Sequence, residues 1–203
     1  MSAGLPDPKG VFVNVPFDHR YEPLFITLIG VLVFLGQEPH CVLEVREKGE
    51  GRLARILELM RSCRISIHDL SRVSTPVRFN MPFELGIACA LKLLHPLDYE
   101  VLVLDAKGYR LDRTLSDYKG RDPLIHHGTI DGLLACLFDA FVSANAPPPR
   151  EARRALDSLN RVAARLKRDV KSDTLFRPLL FHALVVAATN VATRFGFINV
   201  SRS

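Results

Sequence analysis

The stretch Arg64–Gly86, RISIHDLSRVSTPVRFNMPFELG, decides the fold that we expect for this chain. Its first residues predict a buried β-strand, because Ile65 and Ile67 are apolar and β-branched. The polar pair His68 and Asp69 follows, as in a strand whose polar residues emerge at its carboxyl end. A loop rich in Ser and Thr comes next.

A helix is predicted after this loop, with Asn80 as its cap and Pro82 in its first turn. We therefore expect Glu84 in the first turn as well. Ligands of open α/β sheets bind beyond the carboxyl ends of the strands, so Asp69 and Glu84 could share one cleft. The positive helix end favours an ionised Glu84, which suits a nucleophile or a stabiliser of positive charge. The alternative is a capping glutamate and a solvated loop aspartate.

Strand and helix patterns alternate on both sides of this stretch. The predicted strands are residues 11–15, 40–43, 65–69, 99–104 and 123–126, and the predicted helices between them are residues 22–35, 53–60, 82–94 and 130–141. Short strands alternating with helices predict an α/β fold with a parallel sheet covered on both faces. We expect about five strands in a flavodoxin-like order.

A proline-rich linker is predicted at residues 144–150, ANAPPPR, because three consecutive prolines favour an extended spacer. It divides the chain into an α/β domain, residues 1–143, and a basic helical region, residues 151–203. The second region predicts a helical hairpin with an apolar face too large to bury by itself. We expect it to pack on the α/β domain or to form a homo-oligomer.

The positive charge is concentrated in this C-terminal region. The whole chain has a formal net charge of +5, yet residues 150–203 contain 11 Lys or Arg against 4 Asp or Glu. We expect the arginine-bearing helix face formed by Arg154, Arg161, Arg165 and Arg168 to be solvated, with contact to nucleic acid as the alternative. The apolar helix at residues 175–195 carries charged and polar interruptions, which argues against a membrane span.

Cysteine usage and the amino terminus favour a cytoplasmic protein. The four cysteines are scattered in apolar surroundings without CxxC spacing, as expected for buried free thiols in a reducing compartment. The amino terminus lacks the charged and then apolar run of a signal peptide.

Other candidate chemistry lies at predicted strand ends. Asp18 follows the first strand and His126 follows the fifth, and in a parallel sheet these loops open on the same side as Asp69. They predict either a convergent polar cleft or ordinary surface loops. No spacing indicates a metal site, a dinucleotide fingerprint, a P-loop or a serine-hydrolase elbow.

The motifs VFVNVPF, IHDLS and RFNMPFELG carry a resemblance over about residues 10–140. This part of the chain resembles nucleoside 2-deoxyribosyltransferases and, more loosely, TIR domains, and it is similar to uncharacterised bacterial proteins that share the last two motifs. Both named families are flavodoxin-like and use a glutamate at a helix start to cleave a C–N glycosidic bond to ribose. Glu84 matches that glutamate. The residues before it, Arg78, Asn80 and Met81, depart from both family patterns.

The resemblance implies cleavage of a nucleotide N-glycosidic bond, with NAD as substrate, in bacterial defence against phage or in stress. The alternatives are a non-catalytic nucleotide-sensing or assembly module and a nucleoside deoxyribosyltransferase. In the catalytic interpretation Glu84 and Asp69 carry the reaction, no cofactor or metal is needed, and the substrate contacts are Phe17, Asp18, Ser71, Phe79, Asn80 and His126.

Overall fold

The computed structural model describes residues 6–45, 51–71, 80–95, 97–108, 115, 122–143 and 145–198. The strands are β1 (Asp7–Asn14), β2 (Glu38–Cys41), β3 (Cys63–Asp69), β4 (Glu100–Asp105) and β5 (Leu124–Ile125). The helices are α1 (Glu22–Phe34), α2 (Gly51–Ser62), α3 (Asn80–Leu94), α4 (Ile130–Ala140), α5 (Pro149–Asp169) and α6 (Pro178–Arg194). A short 3-10 turn, Val42–Glu44, follows β2.

The five strands form one all-parallel sheet in the order β2-β1-β3-β4-β5, which confirms the predicted α/β, flavodoxin-like fold. Consecutive residues of β1, Val11 to Val13, have no exposed surface, so both faces of this strand are covered. Asn14 of β1 is in register with His68 of β3, and Asp69 is in register with Leu104 of β4. The register therefore aligns the polar carboxyl ends of the strands.

Contacts divide the chain into two compact units, each assembled from separate stretches of sequence. The sheet unit comprises Met1–Pro16 and His40–Gly128, and the helical unit comprises Phe17–Pro39 and Thr129–Ser203. The division into domains that the proline run predicts stays a prediction, although α5 already begins at Pro149 within the predicted linker.

In the helical unit α1 packs against α4, α5 and α6. It is buried nearly all round, as its uniformly apolar sequence requires. The carboxylate of Glu22 at its start is paired with Lys167 of α5 and accepts the N–H of Leu175. The apolar face of the C-terminal hairpin is thus covered by α1, and a buried ion pair fixes α1 to α5.

Local differences from the expected boundaries have simple causes. The helix containing Glu84 begins at Asn80, so this residue lies inside α3. Thr129 caps α4, because its side-chain oxygen accepts the N–H of Gly132, and this cap was not predicted. Residues 109–114 and 116–121, in the polar stretch between β4 and β5, lie outside the described residues. Among the residues that are described, no helix combines the length and apolarity needed to cross a membrane.

Close packing of α5 on α1 predicts the effect of a substitution at Gly30. A Cβ there would lie 2.7 Å from Leu159 Cδ2 and 2.9 Å from Leu156 Cδ2, so Gly30→Leu should lower the free energy of unfolding by about 1–3 kcal/mol. The matched control is Gly86→Ala in α3, where a Cβ meets nothing within 4 Å and helix propensity should add about 1 kcal/mol. Urea denaturation measures both values, and an unchanged midpoint for Gly30→Leu would contradict the packing.

Candidate functional site

Two buried polar side chains meet where the strand order changes direction. Asn14 is 3% exposed and His68 is 0% exposed. Asn14 Nδ2 donates to His68 Nδ1 at 3.0 Å and to the carbonyl oxygen of Met81 at 3.3 Å. The pair therefore ties β1, β3 and the start of α3 together. In flavodoxin-like sheets this β1/β3 junction is the place where ligands bind.

These contacts determine the tautomer of His68. Because Nδ1 accepts from Asn14, the ring hydrogen is on Nε2. Burial lowers the pKa of His68 from 6.5 to about 3, so the ring is neutral. His68 Nε2 is buried and has no hydrogen-bond partner among the described residues. A buried donor without a partner lowers the stability of the fold by about 1–3 kcal/mol. A bound ligand that accepts this N–H would remove that penalty.

The sequence predicted Glu84 in the first turn of α3, but in the structure Glu84 lies beyond that turn. The helix begins at Asn80, so Glu84 is its fifth residue, and the first turn contains no acidic side chain. Met81 and Leu85 point into a buried cluster with Leu70 and Val103 of the sheet. Glu84 is one turn from Met81, whose carbonyl oxygen accepts from Asn14 Nδ2, and its side chain is half-buried.

Burial governs the charge of Glu84. It raises the pKa of the carboxyl from 4.5 to about 7, against the smaller effect of the Arg52 guanidinium, which lowers it. Oε2 is buried and finds no partner within the described part of the chain. Glu84 lies outside the first turn, where the positive helix end would favour its ionised form, and desolvation favours the neutral form. Near pH 7 the neutral and ionised forms coexist.

A second polar group, the Asp69–His126 cluster, joins the loops after β3 and β5. His126 Nε2 lies 3.1 Å from Asp69 Oδ2 and 2.8 Å from Ser71 Oγ, and both Asp69 and His126 are fully buried. Asp69 Oδ1 accepts the N–H of Ser71 at 2.8 Å, and His126 Nδ1 accepts the N–H of Gly128 at 3.0 Å. The structure therefore brings together Asp69 and His126, two of the three strand-end residues that we expected to converge, and Ser71 joins them.

This cluster has the composition of a Ser-His-Asp triad but the wrong hydrogen bonds. In a triad the aspartate accepts from Nδ1, which leaves Nε2 free to take the serine proton. Here Nδ1 of His126 accepts the N–H of Gly128, so the ring hydrogen is on Nε2. Nε2 therefore donates and cannot serve as a base for Ser71. The cluster fixes two loops instead of activating a nucleophile.

The alternation of side chains along β3 separates Asp69 from Glu84. Leu70 packs against Met81 and Leu85 of α3, and His68 lies on that same face. Asp69 lies between His68 and Leu70 in sequence, so its side chain lies on the other face of β3, where it contacts His126. The Asp69 carboxylate thus lies on the face of β3 opposite to the one that packs against α3, and the single cleft shared with Glu84 stays a prediction.

The other predicted substrate residues have defined positions, except Phe79, which lies outside the described residues. Phe17 belongs to the helical unit, where its ring contacts Phe176 at a centroid distance of 5.4 Å. Asp18 of the same unit accepts the N–H of Arg20 and of Tyr21 at the start of α1. Asn80 is exposed at the first position of α3. Among the described residues no group of three or more His, Cys, Asp or Glu could hold a metal ion.

Asn14 was not predicted as a site residue, although the sequence contains a signal for its burial. An amide within the otherwise apolar strand VFVNV must be buried, and a buried amide needs partners. His68 was recognised only as a neighbour of Asp69. The influence of Arg52 on Glu84 has no sequence signal, because it depends on how α2 and α3 pack together.

Comparison with known proteins leaves the function to be argued from this site. Neither the protein-family models nor the curated proteins gave a match to the sequence. The resemblance to deoxyribosyltransferases and TIR domains therefore stays a prediction from the motifs.

Different losses of stability are expected within the Asp69–His126 cluster. His126→Ala removes the partner of a fully buried carboxylate and should lower the free energy of unfolding by about 3 kcal/mol. Ser71→Ala keeps that pair and should cost about 1 kcal/mol. Chemical denaturation at pH 7 compares the two variants. A larger loss for Ser71→Ala, or labelling of Ser71 by a fluorophosphonate probe, would show that the hydrogen-bond assignment is wrong.

Proposed function

We propose that the sheet unit binds a nucleotide at the carboxyl ends of β1 and β3 and cleaves its N-glycosidic bond. The observation that carries this proposal is the carboxyl of Glu84, whose Oε2 is buried without a partner among the described residues and whose pKa burial raises to about 7. A second buried atom without a partner among the described residues, His68 Nε2, lies at the strand junction where flavodoxin-like sheets bind ligands, and α3 is joined to that junction by the bond from Asn14 to the Met81 carbonyl oxygen. Perturbed ionisable groups at such positions are typical of functional sites.

The charge of Glu84 favours a cationic substrate of the NAD type. The Arg52 guanidinium offsets only part of the desolvation of this carboxylate, and a bound pyridinium ribose would add a second positive charge. When the C–N bond breaks, its electron pair goes to the ring nitrogen, so nicotinamide leaves as a neutral molecule without a proton donor. The ribose becomes oxocarbenium-like, and an adjacent carboxylate stabilises that charge until water adds to the anomeric carbon.

The other residues of the site have supporting roles in this proposal. His68 Nε2–H donates to a ribose hydroxyl, and Asn14 holds the ring in the required tautomer. The Asp69–His126 cluster keeps the loops after β3 and β5 in place. Asp69 is therefore a positioning residue here instead of a second catalytic carboxylate. The role in defence against phage stays a prediction.

The proposal predicts that Glu84→Gln, which keeps the shape and removes the charge, lowers the rate of NAD cleavage on the order of a hundredfold or more. For the unmodified protein, kcat/KM should rise with pH through about 7 as the free carboxyl ionises. The midpoint of kcat should lie lower, because the bound cation favours the ionised form. Chromatography of released nicotinamide measures both parameters between pH 5.5 and 8.5.

The control is Glu58→Gln, which removes an exposed carboxylate paired with Arg55 and should leave the rate unchanged. A panel of neutral nucleosides separates the alternatives, because their bases need a proton and a neutral Glu84 would supply it below pH 7. Cleavage of those nucleosides with activity falling above pH 7 would replace the NAD assignment with deoxyribosyltransferase chemistry. Equal turnover by wild type and Glu84→Gln, also at high protein concentration, would remove Glu84 from the mechanism.

A further inference from the structure

One side of α5 carries a row of guanidinium groups, here called the arginine row: Arg150, Arg154, Arg161, Arg165 and Arg168, with Asp157, which lies 3.8 Å from Arg153, between the second and third. At 3.6 residues per turn these positions fall within an arc of roughly 60° and span about 27 Å along the helix. All five side chains belong to exposed residues. The row is therefore a straight cationic surface about as long as eight base pairs of duplex at 3.4 Å each.

The basic residues of α5 outside the row have acidic partners. Arg153 pairs with Asp131 of α4 and lies 3.8 Å from Asp157, and Lys167 pairs with the buried carboxylate of Glu22. None of the five row arginines forms an ion pair with an acidic side chain in the described ranges. Arg161 donates only to Ser158 Oγ, at 3.0 Å. The folding contacts of α5 thus use the other cations, and the row adds mutual repulsion that an external anion would relieve.

The opposite side of α5 is already occupied. Its apolar residues are buried in the helical unit, where α5 packs against α1 and α6. These residues are Ala152, Ala155, Leu156, Leu159 and Ala163. A helix that binds a lipid surface needs an apolar face to insert, and α5 has none to offer. The partner of the row is therefore recognised by charge alone, and the planar fork of arginine matches phosphate oxygens.

We propose that the arginine row binds double-stranded DNA through its phosphates, without reading the base sequence. Single strands are bound largely by stacking of bases on aromatic rings, and α5 contains no aromatic residue. Double-stranded RNA is recognised mostly by its shape and by contacts to the 2′-hydroxyls and phosphates of two successive minor grooves, whereas the row offers one straight line of phosphate-binding forks. The proposal gives the row a function beyond the solvated face expected from the sequence, and it is independent of the chemistry at Glu84.

The test uses the full chain and a fluorescent 20-base-pair DNA duplex, with anisotropy measured at several salt concentrations. Five phosphate contacts predict a slope of about −4.5 for log K against log salt. Arg154→Gln combined with Arg161→Gln should weaken binding at least tenfold at low salt and bring the slope to about −2.7. Both side chains are exposed, so circular dichroism and the melting temperature should remain those of the wild type.

The matched control combines Arg61→Gln and Arg64→Gln, two exposed arginines of the sheet unit. It removes the same charge and should leave the slope unchanged. An equal loss in this control would show non-specific attraction by net charge and would overturn the proposal. Absence of DNA binding at 50 mM salt would overturn it as well. So would equal or tighter binding to RNA duplexes, to single strands or to vesicles with anionic lipids.

Discussion

Removal of water from the carboxyl ends of the parallel strands is the constraint on which the candidate site depends. A parallel sheet is covered on both faces, so a polar side chain at a strand end must find a partner within the protein or remain unsatisfied. Hydrogen-bond partners are present for Asn14, for Asp69 and for the Nδ1 atoms of His68 and His126. Glu84 Oε2 and His68 Nε2–H have no partner among the described residues. Burial raises the pKa of Glu84 and lowers the pKa of His68, and both changes favour the neutral form.

The contrast between satisfied and unsatisfied polar groups recurs in the helical unit. The buried carboxylate of Glu22 in α1 is paired with Lys167 of α5, and at the surface Arg153 of α5 is paired with Asp131 of α4. The arginine row forms no ion pair with the acidic residues that the structure describes. Polar groups with partners account for the stability of each unit, and polar groups without partners mark the surfaces where we expect ligands.

Patterns of sequence were sufficient for the fold because they depend on local geometry. The alternation of strand and helix predicted the flavodoxin-like sheet, and Gly36, which has a φ of +74°, ends α1 where the apolar pattern stops. The convergence of Asp69 and His126 followed from the parallel topology alone. The ionisation of Glu84 did not follow, because the depth of burial depends on how α2 and α3 pack, and neither helix encodes that by itself. Asn14 shows that an amide within an apolar strand predicts a buried side chain with hydrogen-bond partners.

The central claim is that burial holds the carboxyl of Glu84 at a pKa of about 7 in the free protein. The most direct test is a carbon-13 NMR titration of the glutamate side-chain carboxyls, with Glu84 assigned by the signal that disappears in Glu84→Gln. The account predicts a midpoint of about 7 for this carboxyl, while exposed glutamates titrate near 4.3. A midpoint for Glu84 in that ordinary range would contradict the account, because the carboxyl would then be solvated and fully ionised at neutral pH.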